Sequence, residues 1–483
     1  MSEALTKPVT FGLRLENHYA RLPGEFYTRM PAEQVGETPA LLHANPKAAA
    51  LIGLEPSAFA DLDFVPVFSG RKPLGDFRPL AMVYSGHQFG AWAGQLGDGR
   101  ALLIGQARNA KGELWDVQLK GAGLTPYSRF GDGRAVMRST IREYLGSEAI
   151  AALGIPTSRA LCIIATGERV AREEMEPGAI LTRLAKSHVR FGHFEHFHYK
   201  GRHEQVRLLA DHVIGEYFPE FRGDHAGWFG DVVKRTADLM AQWQAAGFAH
   251  GVMNTDNMSI LGLTLDYGPF GFLDAYDPDF ICNHTDEQGR YSFSNQPGIA
   301  LWNLRALALA LSSLIDSDRL VEKLNTYESL FVARFRALMR AKLGFACNQD
   351  GDDELIRSLL QLMAATRADY SLTFRGLAET GEDWLFLFGE ARADAVMWRE
   401  RYRNRMEGEG DRTAALDAVN PKYTLRNWVA ETAIRAVEDR GDAGALDRIL
   451  KLVQSPYDEH AGEGALAEPP APEFSGLSVS CSS

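Results

Sequence analysis

The sequence predicts an α+β fold with two lobes, a mainly β N-lobe followed by a mainly helical C-lobe. The chain has 483 residues, more than one domain usually holds. Segments with the alternating pattern of half-buried strands are concentrated before residue 191, whereas apolar residues from 300 to about 452 recur with helical spacing. We therefore place the N-lobe at residues 1–191, the C-lobe at 192–454 and a flexible tail, rich in Pro, Gly and Ser, at 455–483.

The composition argues against several classes of protein. Fifty-one basic and 63 acidic residues give a net charge of −12 without long runs, which argues against a nucleic-acid-binding surface. The N-terminus lacks a signal-peptide pattern, and the most apolar segment, 301–315, is interrupted by Asn303 and Arg305. The four cysteines are too irregularly spaced for a zinc site. We expect a cytoplasmic protein without nucleic-acid or membrane partners, and we expect it to be a monomer.

Two Gly-rich turns share the tetrapeptide Gly-Asp-Gly-Arg. The first, at residues 97–100, stands between two predicted strands, and the second occupies residues 131–134. Glycines let backbone N–H groups approach a phosphate, and an arginine such as Arg100 can form a forked pair with phosphate oxygens. One such turn alone is usually just a hairpin turn. The repetition favours phosphate binding, with chance repetition as the alternative.

A predicted strand ends on Lys120, and a predicted helix carries its candidate partner. Apolar and polar residues alternate over 113–119, and the ending VQLK resembles the kinase V-A-I-K motif. The kinase lysine holds the α- and β-phosphates and pairs with a helix glutamate. Glu143, in a helix predicted over 135–153, is the candidate partner. It lies opposite the apolar stripe of this helix, so it faces either solvent or a ligand cleft.

Strands are predicted at 160–165 and 179–184; Arg183 lies near the end of the second, and Arg190 and a group of histidines follow it. Arg183 and Arg190 lie in LTRLAKSHVRFG, where both could face one pocket or both could be solvated. Five histidines then occur between residues 188 and 203. Clustered histidines can bind zinc, but no spaced Asp or Cys completes a tetrahedral set. The interleaved aromatic residues favour a packed loop instead.

The stretch from His250 to Gly268, HGVMNTDNMSILGLTLDYG, carries the strongest signal in the chain. Asp256, Asn257 and Asp266 surround a short apolar segment that is predicted to be a tight hairpin. Amide and carboxylate oxygens suit Mg²⁺ or Mn²⁺ brought in on a phosphate. The alternative is a surface turn capped by Asn and Asp.

The spacing within this stretch matches that of protein kinases. Kinases place a metal-binding Asn five residues after the Asp of H-R-D, and a metal-binding Asp opens the later D-F-G motif. Here Asn257 follows His250 by the matching interval, and Asp266 opens the triplet DYG. The position of the kinase base is Val252, which accepts no proton. The sequence therefore predicts a bilobal protein-kinase-like fold in which Asp256 is the nearest carboxylate that could replace the base.

Together, Gly97-Asp98-Gly99-Arg100, VQLK, HGVMNTDN, the DYG triplet and the terminal CSS resemble the selenoprotein O family of pseudokinase-fold protein adenylyltransferases. The resemblance extends over nearly the whole chain, and HGVMNTDN is its most specific part. It implies that ATP binds in the cleft in the reverse of its orientation in ordinary kinases. It also implies that AMP is transferred to Ser, Thr or Tyr hydroxyls of partner proteins, with release of pyrophosphate.

The resemblance also assigns residues to roles. Asp256 becomes the catalytic base, and Asn257 and Asp266 become the ligands of Mg²⁺ or Mn²⁺. Glu143 and Asp266 are added to the nucleotide site. The remaining residues expected to contact ATP are Gly97, Gly99, Arg100, Lys120, Asp132, Gly133, Arg183 and Arg190.

Other functions stay open from the sequence alone. UTP could replace ATP, which would make the product a UMP adduct. Phosphotransfer is the second enzymatic alternative, and Val252 argues against it. A non-catalytic nucleotide-binding scaffold is the third, and the presence of all three polar residues of the loop argues against it. Because some relatives carry selenocysteine where Cys481 stands, a regulatory disulfide with Cys282 is a further hypothesis, and a free terminal thiol is its alternative.

Overall fold

The computed structural model describes residues 8–379, 381–474 and 477. It is an α+β protein in which a large antiparallel sheet forms from the first part of the chain and helices dominate the rest. The strands of the described residues are β1 (Leu15–Glu16), β2 (Tyr27–Arg29), β3 (Ala40–Ala44), β4 (Leu80–Met82), β5 (Ser85–Gln88), β6 (Ala91–Gln95), β7 (Ala101–Arg108), β8 (Leu114–Lys120), β9 (Ala135–Val136), β10 (Arg159–Ala171), β11 (Met175–Ala185), β12 (Phe248–Ala249) and β13 (Gly271–Phe272).

The large sheet has the order β2-β4-β7-β8-β11-β10-β3, with β1 added to β7 and β9 added to β11. Its two faces are both buried, because successive residues of a strand point to opposite sides. On β7, Leu102 packs in the same cluster as Phe64 and Phe68, while Leu103 packs in the cluster of Tyr144. The sheet is therefore covered on both faces, which holds the end of each strand in a fixed position.

The helices follow the caps that the sequence provides. Asn45 accepts hydrogen bonds from the N–H groups of Lys47 and Ala48, and Gly247 ends the longest helix in a left-handed conformation with φ 66°. The α-helices of the described residues are α1 (Pro46–Ile52), α2 (Phe64–Phe68), α3 (Met137–Ala152), α4 (Phe191–Tyr199), α5 (His203–Tyr217), α6 (His225–Ala246), α7 (Gln296–Ala310), α8 (Ser317–Leu324), α9 (Tyr327–Lys342), α10 (Asp352–Thr366), α11 (Tyr370–Arg375), α12 (Arg392–Met406), α13 (Thr413–Val419), α14 (Asn427–Arg440) and α15 (Ala443–Val453).

Two local predictions are wrong. Most of the histidine-rich segment is not a packed loop: His193, His196 and His198 lie in helix α4, and His203 begins α5. The N-terminus of α4 is closed by two hydrogen bonds, from His193 N to the Arg190 carbonyl and from Arg190 N to His193 Nδ1. The segment after Asn257 is not a hairpin, because its two ends pair with other parts of the chain: Ser259 bridges to Arg190, and Thr264 bridges to Thr157. Distant partners supplied the backbone hydrogen bonds that a local hairpin would have made.

The stretch that we expected to be a mobile tail begins with packed residues. A short 3-10 helix, Gly464–Ala467, buries Leu466, and Arg426 donates a hydrogen bond to the carbonyl of Ala467 at 3.3 Å. Cys481 lies outside the described residues. Across the described ranges, no helix combines the length and the apolar character needed to cross a membrane.

Candidate active site

A cleft of about 870 Å³ opens between the edge of the large sheet and the segment that follows β12. The two Gly-Asp-Gly-Arg turns, the ends of β8 and β11 and the loop from Val252 to Pro269 all contribute to its walls. Of the residues expected from the sequence, those that line the cleft are Gly97, Gly99, Arg100, Lys120, Asp132, Gly133, Arg183, Arg190, Asp256, Asn257 and Asp266. The expected set therefore comes together in space, with Glu143 directly behind it.

Glu143 joins the sheet to helix α3. Lys120 donates a hydrogen bond from Nζ to Glu143 Oε2, and Arg183 Nη1 lies 3.3 Å from Glu143 Oε1. Glu143 is only 1% exposed, so it faces the sheet rather than solvent. Burial lowers the pKa of Lys120 to about 8, and the carboxylate of Glu143 opposes that change. The pair positions a cation at the end of β8.

Asp266 is held between two buried arginines. Arg183 Nη1 donates to Oδ1 at 2.5 Å, and Arg190 Nη1 donates to Oδ2. Burial alone would raise the pKa of Asp266, but Arg190 and then Arg183 hold it well below its usual value. Asp266 has φ 58°, a left-handed conformation that Asp tolerates better than most residues. The carboxylate is therefore ionised and directed into the cleft.

Asn257 supplies the second oxygen ligand that we expected for a metal. Its Nδ2 donates to the carbonyl of Val252 at 3.0 Å, which orients Oδ1 toward Arg190 Nη1 at 3.5 Å. Asn257 Oδ1 and Asp266 Oδ2 both contact Arg190 Nη1, so a metal bound by these two oxygens would take the place of that guanidinium nitrogen. An amide and a carboxylate oxygen are donors of the kind that Mg²⁺ and Mn²⁺ accept, with substrate phosphates and water completing the set. These two residues fit a divalent cation.

The described part of the chain contains no cluster of three or more His, Cys, Asp or Glu side chains able to hold a metal. The oxygen donors that we expect to hold a metal in the cleft are those of Asn257 and Asp266, and Mg²⁺ is typically held by one or two carboxylates together with substrate phosphates and water.

Asp256 is a buried carboxyl group with an unused oxygen. Its Oδ2 accepts a hydrogen bond from Gln88 Nε2 at 3.3 Å, while Oδ1 has no hydrogen-bond partner among the described residues. Burial raises the pKa of Asp256 to about 7, although Arg190 acts in the opposite direction. Val252, at the position of the kinase base, also lines the cleft. Asp256 is the group best suited to take a proton near neutral pH.

The Gly-rich turns have a packing role that the sequence did not reveal. A Cβ at Gly97 would lie 2.5 Å from the ring of Tyr127, and one at Gly99 would lie 2.9 Å from the Tyr127 carbonyl. A Cβ at Gly133 would lie 2.2 Å from the backbone of Gly123. These glycines are required because the segment between the two turns packs against both of them.

Arg100 is the most available cation of the first turn. Its guanidinium makes no ion pair or hydrogen bond with other described residues, and its side chain lines the cleft. Asp132 differs, since Arg172 binds its carboxylate at 2.7 Å and counteracts the rise in pKa that burial would cause. Arg172 lies in a charged hairpin, where nothing in the sequence marked it as part of the site.

Sequence reasoning also missed Asp98 and Gln88. Asp98 is 2% exposed and accepts hydrogen bonds from Met82 N at 3.0 Å and Gln118 Nε2 at 3.4 Å. It therefore anchors the first turn to β4 and β8. Gln88 was not recognised because its role depends on Asp256, which is distant in the chain.

Comparison with known proteins gives a consistent result. A family model described as protein adenylyltransferase SelO matches residues 10–454. A protein of Bordetella avium named protein nucleotidyltransferase YdiU is 51% identical over 485 residues, which cover 98% of each chain. Proteins of the same name from Myxococcus xanthus and Cronobacter sakazakii are each 50% identical; the alignments cover 98% and 96% of this chain and 99% and 97% of theirs. The chain therefore belongs to the SelO family and is an enzyme of the nucleotidyltransferase class.

Proposed function

We propose that this enzyme transfers AMP from ATP to Ser, Thr or Tyr hydroxyls of proteins and releases pyrophosphate. The observation that carries the proposal is a continuous series of contacts along the cleft. Lys120 contacts Glu143, Glu143 contacts Arg183, and Arg183 contacts Asp266. Arg190 then joins Asp266 to the backbone of Asp256. Three cations, Lys120, Arg183 and Arg190, thus lie along the series that leads from Glu143 to the candidate base Asp256.

This arrangement supports a nucleotide with its phosphate tail directed toward the sheet. Arg100 and Lys120 are adjacent, since Ala101 pairs with Lys120 across β7 and β8. Together with Arg183 they supply the charge that β- and γ-phosphates need. The α-phosphate would then lie near Asn257 and Asp266, within reach of a hydroxyl activated by Asp256.

The fold is part of the same proposal. We place a kinase-like N-lobe at residues 1–191, because the strands of the large sheet all precede residue 186. The C-lobe, 192–454, would then provide the loop with Asp256 and Asn257. In this scheme the cleft is the interlobe nucleotide site, and α3 carries Glu143 in the position of the kinase helix glutamate.

Each residue has a defined task in the transfer. Asp256 accepts the hydroxyl proton, the oxygen forms a bond to the α-phosphorus, and the bond from that phosphorus to the pyrophosphate oxygen breaks. Arg100, Lys120 and Arg183 neutralise the charge that develops on the leaving pyrophosphate. When bound by Asn257 and Asp266, Mg²⁺ or Mn²⁺ would supply further charge neutralisation at the phosphate oxygens.

Labelled nucleotides test the proposal. The enzyme is incubated with candidate protein substrates and ATP labelled at the α- or the γ-phosphate, with α-labelled UTP in parallel. Label from α-ATP on protein is the expected result. Label from γ-ATP would show phosphotransfer, label from UTP alone would show UMP transfer, and bound but unreacted nucleotide would show a scaffold. Asp256→Ala should abolish transfer while nucleotide binding is largely kept.

A further inference from the structure

A second cavity, of about 240 Å³, lies apart from the cleft and shares no lining residue with it. Its walls are the turn after α3, the end of α6, helix α9 and the segment 418–424. It is smaller than the roughly 300–1,000 Å³ typical of sites for drug-sized ligands. A ligand of this cavity must therefore be small, and it would not compete with a nucleotide in the cleft.

Lys342, the last residue of α9, lines this cavity and is 6% exposed. Its Nζ lies 4.4 Å from the ring centroid of Phe374 and 5.5 Å from that of Tyr370. No carboxylate of the described residues forms an ion pair with it. Burial lowers the pKa of Lys342 to about 7, and no charged neighbour contributes to that change. Burying an ammonium group without a counter-ion costs free energy. An anion bound beside Lys342 would lower that cost.

Asn420, a second polar residue of the same cavity, has a hydrogen-bond acceptor without a donor among the described residues. Its Nδ2 donates to the carbonyl of Lys342 at 2.9 Å, which fixes the orientation of the amide. Its Oδ1 is buried and has no hydrogen-bond partner in the part of the chain that the structure describes. Because this oxygen only accepts hydrogen bonds, a bound water or a hydroxyl or N–H group of a ligand would satisfy it, whereas a carboxylate group would not.

The other residues that line the cavity indicate which chemical groups the rest of the ligand carries. Leu153, Ile155, Leu338 and Val419 provide apolar surface, and the exposed Arg334 adds a second cation. Among the described residues that line the cavity, none is a carboxylate or a histidine. We propose that this cavity binds a small organic carboxylate, with its acid group paired to Lys342 and its apolar body against the leucine, isoleucine and valine side chains.

The chemistry favours a carboxylate over a phosphate. One buried ammonium balances one negative charge, whereas a phosphate dianion usually requires several guanidinium or backbone N–H donors. Binding has a measurable consequence, because the bound anion stabilises the ammonium form of Lys342, and the amine takes up a proton from the buffer.

Titration calorimetry of the full chain tests the proposal, with hexanoate as the probe and hexanamide as its neutral counterpart. Above the pKa of Lys342, at about pH 8, hexanoate should bind with proton uptake, detected as heat that depends on the ionisation enthalpy of the buffer. The tyrosines of the cavity do not interfere, because burial raises the pKa values of Tyr370 and Tyr457. Hexanamide should not bind.

Variants assign the effect to the cavity. Lys342→Met should weaken hexanoate binding by about tenfold or more and remove the proton uptake. Lys451→Met is the matched control, because this lysine is 70% exposed on α15 and lies outside the cavity. Ala418→Phe, at the exposed mouth, should block binding with Lys342 intact, which keeps the test valid if the first variant does not fold.

Four results would overturn the proposal. The first is the absence of hexanoate binding to the native protein. The second is binding of hexanamide with equal affinity, and the third is hexanoate binding that Lys342→Met leaves unchanged. The fourth is binding of inorganic phosphate without binding of hexanoate, which would show that the cavity selects a different anion.

Discussion

Asp256→Asn should change how the stability of the protein depends on pH. In the folded protein the pKa of Asp256 is about 7, whereas its ordinary value is 3.8. Because the folded-state pKa is the higher one, the stabilising contribution is fully present below the ordinary value and is lost as the pH rises through about 7. At about 1.4 kcal/mol per pKa unit, the native protein should lose about 2 to 3 kcal/mol between pH 5 and pH 8 through this one group.

Urea unfolding at several pH values, without nucleotide and with metal chelated, measures this loss. The free energy of unfolding of Asp256→Asn should fall less than that of the native protein over the same interval, by about 2 to 3 kcal/mol. Asp458→Asn is the control, since Asp458 is exposed on the surface. If Asp256→Asn and the native protein lose stability in parallel from pH 5 to pH 8, the carboxyl group is not held in an unfavourable environment and our argument about its proton affinity is refuted.

Four further outcomes are expected. Asp256→Asn should lower the rate of nucleotidyl transfer by about 10²-fold or more with nucleotide affinity retained, and equal rates in a labelled-ATP assay would remove its role as base. Asp266→Asn should cost about 3 kcal/mol in urea unfolding, since it leaves two buried arginines without their shared carboxylate; a loss below about 1 kcal/mol would contradict this. Lys342→Met should stabilise the protein by about 2 to 3 kcal/mol more near pH 6 than near pH 9. The pKa of Lys342 is about 7 in the folded protein and ordinarily 10.5, so the native protein loses stability through this group as the pH falls. A gain in the free energy of unfolding that does not depend on pH would count against this prediction. Asn45→Ala should cost about 1 kcal/mol by thermal unfolding, through loss of the α1 cap, and no change would show that the cap is redundant.

The sequence predicted well those features that depend on neighbouring residues. The helix predicted over 135–153 is α3, and the strands predicted at 160–165 and 179–184 lie within β10 and β11. These elements have periodic apolar residues and terminal signals that act over a few residues. The polar residues of the loop after β12 could also be chosen from their spacing, and the structure places Asp256, Asn257 and Asp266 on the wall of one cleft.

Only the tertiary structure established how the site residues are held. Glu143 looked equally suited to solvent and to a cleft, and it is buried because the sheet covers that face of α3. Arg183 and Arg190 could each have been solvated, yet both bind Asp266. The failed hairpin after Asn257 has the same origin, since Ser259 and Thr264 pair with segments far away in the chain.

The amino-acid sequence by itself thus determined the secondary structure of most long elements and the identity of the polar groups in the cleft. The tertiary structure decided which of those groups are paired, which are desolvated and which are left with an unused atom, as Asp256 is. The physical reason is that periodicity and capping act within a few residues. Burial and ion pairing, in contrast, depend on which distant segment arrives to exclude water.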